Sequence, residues 1–380
     1  MGATAASFEV RSQSPAEVAA EVGRAVSSLG RAAGAVVFVS GSLTEQVPAI
    51  GHELGRLALG VPLVVASGAG VVSERGELEA QAAATGIVWS GAPAEGIALR
   101  GADAPEVGEA LGLALSDRLG SRPAPALLLA HPGTFGPESL HPLDGLQGAR
   151  GLLGAGTVGR HPPVVVHPGG EPEPAEAALL VLRGVPLPAV AASPACRLLC
   201  PLAPVTGLRG SLVTEIGGRP VLEVLGEVGQ AVEDESLVLV ALGEEPGAGG
   251  DERPGLVIRA ARGLDPVRGG VLLDDDVRLG LRLAFAVRDS AAARADLESA
   301  VRRVVRASAG AHPRFLLYLS CGARGAGLHG QPDVELRILR SKLGEVPIAG
   351  LASSFEIAPF EGRPALHFYA GVVALFGAPS

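Results

Sequence analysis

The sequence is short of several residue types, and each shortage narrows what the chain can do. Lys342 is the only lysine, so a phosphate-binding Gly-Lys-Ser/Thr motif is absent and only one side chain could form a Schiff base. Aromatic residues make up 3% of the chain and hydrophobic residues 47%, so the cores must be built from Ala, Val and Leu. Three cysteines, an odd number without a framework spacing, are typical of a reducing compartment.

Long apolar segments and a positive charge balance are also missing. No run of about 18 apolar residues lacks Pro, Gly and charge, which argues against a membrane-spanning helix. Residues 1–24 do not show a basic start followed by an apolar core, so we expect no signal peptide. The net charge of −9 argues against a nucleic-acid partner. The sequence therefore predicts a soluble, cytoplasmic protein.

An apolar strand, a helix and a second strand recur along the chain. The unit appears at residues 35–72, 126–159 and 315–357, and the middle copy is the weakest. The copies are too unevenly spaced for a solenoid, so they indicate duplicated αβ units. We predict a mixed α/β fold with two related lobes, each a mixed β-sheet flanked by helices. Before the first unit, Ser14, Pro15 and Glu17 form a capping-box pattern that predicts an amphipathic helix over residues 14–33.

Three motifs resemble cofactor or metal sites but lack the required context. Residues 154–159 match the Gly-x-Gly-x-x-Gly fingerprint, yet Pro162 and Pro163 follow too closely for the helix that a dinucleotide needs, so a strand-to-strand turn is predicted. Cys196 and Cys200 have a non-standard zinc spacing and are interpreted as packed thiols. The aspartates at 274–276 lack the ligand pattern of a calcium loop and predict a solvated hairpin turn. We therefore expect neither a cofactor nor a metal.

The stretch from residue 346 to 376 contains the most informative polar residue. Glu356 lies between Phe355 and Ile357, and a carboxylate in such a setting is costly to bury unless a donor meets it. Arg324, at the end of the apolar run 315–324, is the candidate donor. The sequence therefore suggests the hypothesis that Arg324 pairs with Glu356.

The order of these motifs resembles the FIST C-terminal domain. The pattern is a strand ending in Ser320-Cys321-x-x-Arg324, then Val346-Pro-Ile-Ala-Gly350, a small-residue turn, Glu356-Ile-x-Pro359 and a final strand. Upstream, the strand at 35–40 and the segment 60–72 resemble the FIST N-terminal domain. The resemblance covers most of residues 31–376, with 1–33 as an N-terminal helix leading into the first lobe, 34–219 as the FIST N-terminal-like part and 220–380 as the FIST C-terminal-like part.

The FIST resemblance implies a sensory module of intracellular signal transduction that binds a small molecule such as an amino acid. One residue departs from the family pattern. Phe355 stands where the family usually has Gly, so a pocket that needs open space at that position is expected to be altered or filled. Because the family's usual attached output domains are not seen in this chain, the resemblance also implies a separate, unidentified output protein.

We predict a ligand site between the lobes, because clefts of this kind favour small molecules. Arg324 could bind a carboxylate and Glu356 an amine, which together describe an amino-acid-like ligand. The predicted ligand-binding residues are Ser67, Gly68, Gly70, Cys321, Arg324, Ser353, Ser354 and Glu356.

Three alternatives stay open at this point. Arg324 and Glu356 could form an internal pair that only stabilises one lobe. Cys321 could act as a nucleophile with His367 or His329 as its base in a cysteine-dependent enzyme, although no convincing catalytic constellation is present and we expect a protein that is not an enzyme. The chain could also be an interaction scaffold without a ligand.

Overall fold

The computed structural model describes residues 5–230, 237–243, 255–273, 277–309 and 311–378. The aspartates at 274–276 lie outside these ranges. The α-helices of the described chain are α1 (Pro15–Ser28), α2 (Val47–Arg56), α3 (Ala104–Leu119), α4 (Val221–Gly229), α5 (Ser290–Ala307), α6 (Gly325–His329) and α7 (Val334–Leu343), with 3-10 turns at Gly41–Gln46, Pro137–Leu143 and Gln147–Gly151.

The strands are short and follow one another closely. In chain order they are β1 (Ala5–Val10), β2 (Ala32–Ser40), β3 (Leu63–Ser67), β4 (Gly70–Ser73), β5 (Glu77–Glu79), β6 (Ala83–Ser90), β7 (Ala94–Leu99), β8 (Ala126–Ala130), β9 (Leu152–Gly156), β10 (Val164–Val166), β11 (Pro172–Pro174), β12 (Ala177–Leu182), β13 (Ala189–Pro194), β14 (Cys196–Leu198), β15 (Ala203–Arg209), β16 (Leu212–Ile216), β17 (Arg219–Pro220), β18 (Leu239–Gly243), β19 (Leu256–Ala260), β20 (Gly263–Asp265), β21 (Gly270–Leu272), β22 (Arg282–Arg288), β23 (His312–Cys321), β24 (Ile348–Ser353), β25 (Glu356–Phe360), β26 (Arg363–His367) and β27 (Ala370–Ala378).

Three six-stranded sheets share one topology. Their strand orders are β1-β6-β2-β3-β10-β11, β7-β12-β8-β9-β25-β26 and β13-β27-β23-β24-β4-β5. Each contains one parallel pair, β2/β3, β8/β9 or β23/β24, and these pairs are the three units that recur in the sequence. The mixed α/β class is confirmed, but the related sheets number three rather than two, and the middle copy is complete.

Each sheet is completed by a hairpin from another copy. The hairpin β4–β5 follows the first parallel pair and joins β24 of the third sheet. The hairpin β25–β26 follows the third pair and joins β9 of the second, and β10–β11 follows the second pair and joins β3 of the first. This closed exchange means that none of these three sheets is formed by one continuous stretch of chain.

Both faces of each sheet are buried, which explains the nearly continuous apolar runs of the central strands. Val36, Leu127 and Leu317 point inward into one core shared by the three sheets. The alternate residues point outward and pack under helices, as Val37 does with α1 and α2. Leu128 packs under α3 in the same way.

The three sheets meet where the parallel strands end. There, equivalent backbone groups of the three copies hydrogen-bond around a cycle, from Ala69 N to Ala352 O (2.8 Å), Val158 N to Ser67 O (2.9 Å) and Ser354 N to Gly156 O (3.0 Å). We call this cycle the central junction. Residues 157–163, the end of the fingerprint match and its prolines, connect β9 to β10, as the prolines predicted.

A fourth sheet is inserted into the third copy only. In the first two copies the link from the edge strand to the next helix is residues 11–14 and 100–103, whereas in the third copy residues 196–288 lie between β13 and α5. This insertion contains α4 and the sheet β19-β18-β22-β15-β16-β21-β20, with β14 and β17 attached. The predicted division between residues 219 and 220 falls at β17, inside the insertion. At the other end of the chain, Ser14 caps α1 as predicted, accepting a hydrogen bond from Glu17 N.

We predict that the central junction does not tolerate a side chain at Gly68. A Cβ on Gly68 would lie 2.6 Å from the carbonyl oxygen of Ala352 and would also meet Leu351. Because backbone cannot move aside cheaply, Gly68→Ala should lower the free energy of unfolding by about 1–3 kcal/mol, measured by urea denaturation.

Gly226→Ala is the matched control, because a Cβ at Gly226 in α4 meets nothing within 4 Å. It should leave stability unchanged or raise it by up to about 1 kcal/mol. Equal effects of the two substitutions would contradict a tight junction.

Candidate functional site

Most of the predicted ligand-binding residues lie at the central junction, where several of their polar groups already form hydrogen bonds within the protein. Ser67 Oγ donates to Val158 O at 2.7 Å, and Gly68 N donates to Val39 O at 2.9 Å. Gly70 begins β4 and pairs with Ala352. The structure therefore brings these strand ends together in a packed junction, beside a small depression of about 30 Å³ that Gly70 and Cys321 line.

Phe355 is part of the same packing. Its ring stacks on Phe135 with 5.7 Å between ring centres, and its carbonyl accepts from Gly156 N at 2.8 Å. The side-chain oxygen of Ser354 is buried without a hydrogen-bond partner in the described chain. Space that a glycine would leave here is occupied by the Phe355 ring.

The hypothesis that Arg324 pairs with Glu356 is wrong. Arg324, 2% exposed, has Nε 2.6 Å and Nη2 2.5 Å from Glu335 Oε1, and Nη1 donates to Ser193 O at 2.8 Å. Glu335 lies in α7 between Val334 and Leu336, the same apolar setting that singled out Glu356. The sequence signal was thus present at Glu335, but the choice between two carboxylates needs the tertiary structure.

Two further groups, of Tyr318 and His329, contact the carboxylate of Glu335. Tyr318 Oη donates to Oε2 at 2.7 Å, and His329 Nε2 lies 3.1 Å from Oε1. Burial alone would raise the pKa of Glu335, but the Arg324 charge and these hydrogen bonds lower it to about 2. The pair is therefore ionised, and burial together with the Glu335 charge raises the pKa of Tyr318 well above its usual value.

The pKa of Glu356 is shifted in the opposite direction from that of Glu335. It is fully buried, and its Oε2 has no hydrogen-bond partner in the described chain. Burial raises its pKa well above the usual value, and a hydrogen bond with Ser353 and the nearby charge of Arg324 offset this only in part. The direction of this shift favours the protonated form of Glu356.

The geometry at Ser353 agrees with a protonated Glu356. Ser353 Oγ lies 3.0 Å from Ser320 O and 2.9 Å from Glu356 Oε1. A hydroxyl has one proton, and a carbonyl oxygen can only accept. Both contacts can be hydrogen bonds at the same time only if the Glu356 carboxyl group is protonated, so that Ser353 donates to Ser320 O and accepts from Glu356.

Cys321 does not have the surroundings of an activated nucleophile. Burial and the nearby Glu356 raise the pKa of its thiol, whereas nucleophilic cysteines need a lowered pKa. In the described chain both ring nitrogens of His329 are engaged, by Glu335 and by Ser290 Oγ at 3.1 Å. His367 Nε2 lies 3.2 Å from Ala358 O. The alternative of a cysteine-dependent enzyme gains no support from these contacts.

The other two cysteines, Cys196 and Cys200, have different surroundings. Burial raises the pKa of Cys196 to about 12, and Cys200 Sγ accepts from Phe285 N at 3.3 Å.

Within the described ranges, no group of three or more His, Cys, Asp or Glu side chains is placed to hold a metal ion. None of the helices in that part of the chain is long and apolar enough to cross a bilayer.

Open space lies along the boundary between the insertion and the three-sheet core. A cavity of about 590 Å³ is lined by α5, β13, β14 and Leu256. Its charged groups are already paired: Arg197 Nε lies 3.4 Å from Asp289 Oδ2, and Arg303 Nη2 donates to Ala192 O at 2.9 Å. Gly255 and Leu256 on its rim directly follow residues outside the described ranges, and we assign no site to it.

A second cleft, of about 220 Å³, has a more specific lining. We call it the seam cleft; its walls are Pro137, Glu138, Arg259, Ala260, Arg262, Phe368 and Tyr369. Arg259 and Arg262 come from the insertion, and the other charged and aromatic groups come from the core. It thus combines two guanidinium groups, one carboxylate and two aromatic rings at a single boundary.

Several contacts hold the residues of the seam cleft in position. The buried guanidinium of Arg259 lies 5.5 Å from the centre of the Phe368 ring, and its Nη1 donates to Ile258 O at 3.0 Å. Burial and the charge of Arg259 lower the pKa of the adjacent, buried His367 to about 4, so His367 is neutral there.

Tyr369 has a backbone conformation that is unusual for a residue with a bulky side chain. Its φ is 55°, in the left-handed region, and such strain is concentrated at functional sites. Ala195 N holds the strained backbone by donating to Tyr369 O at 2.9 Å, and Arg288 lies 5.9 Å from the ring centre. In a chain with so few aromatic residues, the adjacent Phe368 and Tyr369 were a sequence signal that motif reasoning missed.

We predict that breaking the buried ion pair is far more costly than breaking an exposed one. Glu335→Gln leaves Arg324 as an uncompensated buried charge and should lower the free energy of unfolding by about 3–5 kcal/mol, measured by urea denaturation. Because the folded-state pKa of Glu335 is about 2, its contribution is present above pH 4.5 and is lost as the pH falls toward 2.

The control is Glu298→Gln, which removes the partner of Arg302 in an exposed pair at 3.5 Å. This change should cost at most about 1 kcal/mol. A Glu335→Gln variant as stable as this control would show that the buried pair does not stabilise the fold.

We predict that Glu356→Gln preserves the fold and alters its pH dependence. The folded protein keeps a proton on Glu356 that the unfolded chain loses above about pH 4.5, so wild-type stability falls as pH rises, by up to about 1.4 kcal/mol per unit. Glutamine cannot titrate, so the variant should gain stability relative to wild type between pH 5 and 8. Chemical denaturation across that range measures the difference.

The exposed Glu109 in α3 provides the control, because Glu109→Gln makes the same chemical change at the surface of the protein. A pH dependence for Glu356→Gln no larger than that of this control would mean that Glu356 is ionised in the folded protein.

Comparison with known sequences places these features in a family. The FIST N domain model matches residues 35–219, and the FIST C domain model matches residues 221–359. FIST domains are associated with sensory roles in signal transduction.

Curated relatives match over part of their length. An uncharacterized protein of Mycobacterium bovis is 36% identical over 201 residues, 51% of this chain and 51% of the relative. Two uncharacterized proteins of Mycobacterium tuberculosis are 36% identical over 201 residues (51% of each chain) and 35% identical over 205 residues (51% of this chain and 53% of the relative). This chain spans about half the length of these relatives. Since the two family models together cover most of the sequence, the chain belongs to the FIST family.

Proposed function

We propose that this FIST-family protein is a sensor that binds a small amino-acid-like ligand in the seam cleft. The observation that carries the proposal is the convergence of Arg259, Arg262, Glu138, Phe368 and Tyr369 on one cleft of about 220 Å³. Small-molecule sites are usually concave, with apolar walls and a few polar groups that fix the ligand's orientation.

The lining suits both ends of an amino acid. A guanidinium group binds a carboxylate with two parallel hydrogen bonds, a role for Arg262 with Arg259 beside it. The carboxylate of Glu138 faces the same cleft and suits an ammonium group. Phe368 and Tyr369 provide an apolar wall, and their rings also attract a cation.

The position of the cleft suggests how binding becomes a signal. Its two guanidinium groups belong to the insertion, and its carboxylate and rings belong to the core. A ligand that contacts both sides stabilises the arrangement in which they are close, and shifts the population toward it. A separate output protein would then recognise this arrangement.

The Arg324–Glu335 pair has a positioning role in this proposal. Arg324 Nη1 holds the carbonyl of Ser193, and two residues later Ala195 N holds the carbonyl of Tyr369. The buried network thus fixes the segment that supports the strained Tyr369. We propose that the residues predicted from the sequence act behind the ligand site and not in contact with the ligand.

We predict that amino acids or closely related metabolites raise the melting temperature of the purified protein. Free ligand at a hundred times its dissociation constant should stabilise the fold by about 2.7 kcal/mol. Arg262→Gln should weaken binding roughly tenfold or more, because a hydrogen bond to a charged group contributes about 1.5–3 kcal/mol. Thermal shift followed by calorimetry measures both effects.

Arg302→Gln serves as the control, because Arg302 lies on α5 in an exposed pair with Glu298 and is not part of the cleft lining. It should bind ligand with wild-type affinity. Absence of a shift across the amino acids and their metabolites, or equal affinity of the Arg262→Gln and Arg302→Gln variants, would refute the proposed site.

A further inference from the structure

Two aromatic rings distinguish the seam cleft from the rest of the protein. The sequence contains nine Phe, two Tyr and one Trp. All of them lie within the described ranges, and all are buried except Phe368 and Tyr369, which are partly exposed. These two residues are adjacent in the sequence, and both line the seam cleft. The partly exposed aromatic rings of this chain are therefore gathered at one site.

The backbone at Tyr369 brings the two rings to the same cleft. Phe368 and Tyr369 connect β26 to β27, and in an extended backbone successive side chains point to opposite sides. At Tyr369 the φ of 55° departs from the extended conformation, so this alternation does not hold there. Glycine adopts such a φ without strain, whereas a bulky residue does not. The presence of tyrosine at this position indicates that its ring has a role.

Each ring already has a cation beside it. The Arg259 guanidinium lies 5.5 Å from the centre of the Phe368 ring, and the Arg288 guanidinium lies 5.9 Å from the centre of the Tyr369 ring. Arg288 is not part of the cleft lining, so the cation at Tyr369 comes from outside the cleft. Within the cleft, the Tyr369 ring is left to contact an uncharged group. A second aromatic ring suits it, in an offset-stacked or edge-to-face arrangement.

We infer that the ligand of the seam cleft is an amino acid with an aromatic side chain, which packs against the ring of Tyr369. The inference rests on the proposed function of the seam cleft. An apolar cavity of about 150 Å³ is large enough to bind benzene. The seam cleft, of about 220 Å³, therefore has room for one ring and for the amino-acid group beside it.

Calorimetry on the full chain at neutral pH tests the inference with matched ligands. L-phenylalanine, L-tyrosine and L-tryptophan are compared with L-leucine, which has an apolar side chain without a ring. At least one aromatic amino acid should bind about tenfold or more tightly than L-leucine, because an aromatic pair is favourable beyond the area that it buries. L-phenylalanine should also bind about threefold or more tightly than L-cyclohexylalanine, which has the same carbon skeleton but no π electrons.

Substitutions at Tyr369 locate the aromatic contact. Tyr369→Leu removes the ring and keeps a bulky residue at the same φ, so it should reduce the preference for the aromatic amino acid over L-leucine to less than about threefold. Tyr369→Phe keeps a ring and should retain the preference. Arg262→Gln should instead weaken the binding of both ligands together, and Arg302→Gln should change neither affinity.

Each other outcome has a distinct meaning. L-leucine that binds as tightly as all three aromatic amino acids, or more tightly, would overturn the aromatic side chain and leave the proposed sensor intact. L-cyclohexylalanine that binds as tightly as L-phenylalanine, or a Tyr369→Leu variant that keeps the full preference, would overturn the contact with the Tyr369 ring. Failure of all five compounds to bind would overturn the inference, and the proposed function would then depend on the wider metabolite screen.

Discussion

The hydrogen-bonded cycle at the central junction constrains everything around it. Ala69, Val158 and Ser354 each donate a backbone hydrogen bond to a strand end of another copy. The backbones of the three sheets must therefore come within hydrogen-bonding distance of one another at this point. A Cβ on Gly68 or on Gly156 would lie within 3 Å of a residue from another copy, which explains the glycines at these two positions. Strand ends often carry functional groups in α/β proteins, but here they are used for assembly. The ligand site that we propose accordingly lies at the surface, where the insertion meets the core.

Two buried carboxyl groups near one guanidinium group have pKa values that are shifted in opposite directions. Glu335 contacts Arg324 directly and has a pKa lowered to about 2, whereas burial raises the pKa of Glu356 well above its usual value. This division is expected, because one positive charge can compensate one buried negative charge and a second must be removed by protonation. The arrangement keeps the interior nearly neutral while Arg324 holds Ser193, and so connects the core of the third sheet to the seam cleft.

Sequence patterns within short stretches of the chain predicted the structural elements that form within those stretches. The three recurring units are visible because each contains its own apolar strands and turn residues, and α1 begins where Ser14 and Pro15 place it. The exchange of hairpins was not predictable, because β4 pairs with β24 across more than 270 residues and no local pattern specifies that register. The partner of Arg324 was missed for a related reason, since Glu335 and Glu356 have equally apolar neighbours. Arg259 and Tyr369 meet in one cleft only because the insertion folds back onto β26 and β27.

The three copies provide an internal comparison that explains why one of them carries the candidate site. In the first two, residues 11–14 and 100–103 complete the link that in the third has become residues 196–288. The core topology is the same in all three, so the core does not require the insertion in order to close. Because the core does not require the insertion, residues of the insertion that line the seam cleft can change without disturbing the exchanged hairpins. A sensor with this architecture could therefore acquire a different ligand by substitutions around Arg259 and Arg262, both of which lie in the insertion, while Tyr369 and its support remain fixed.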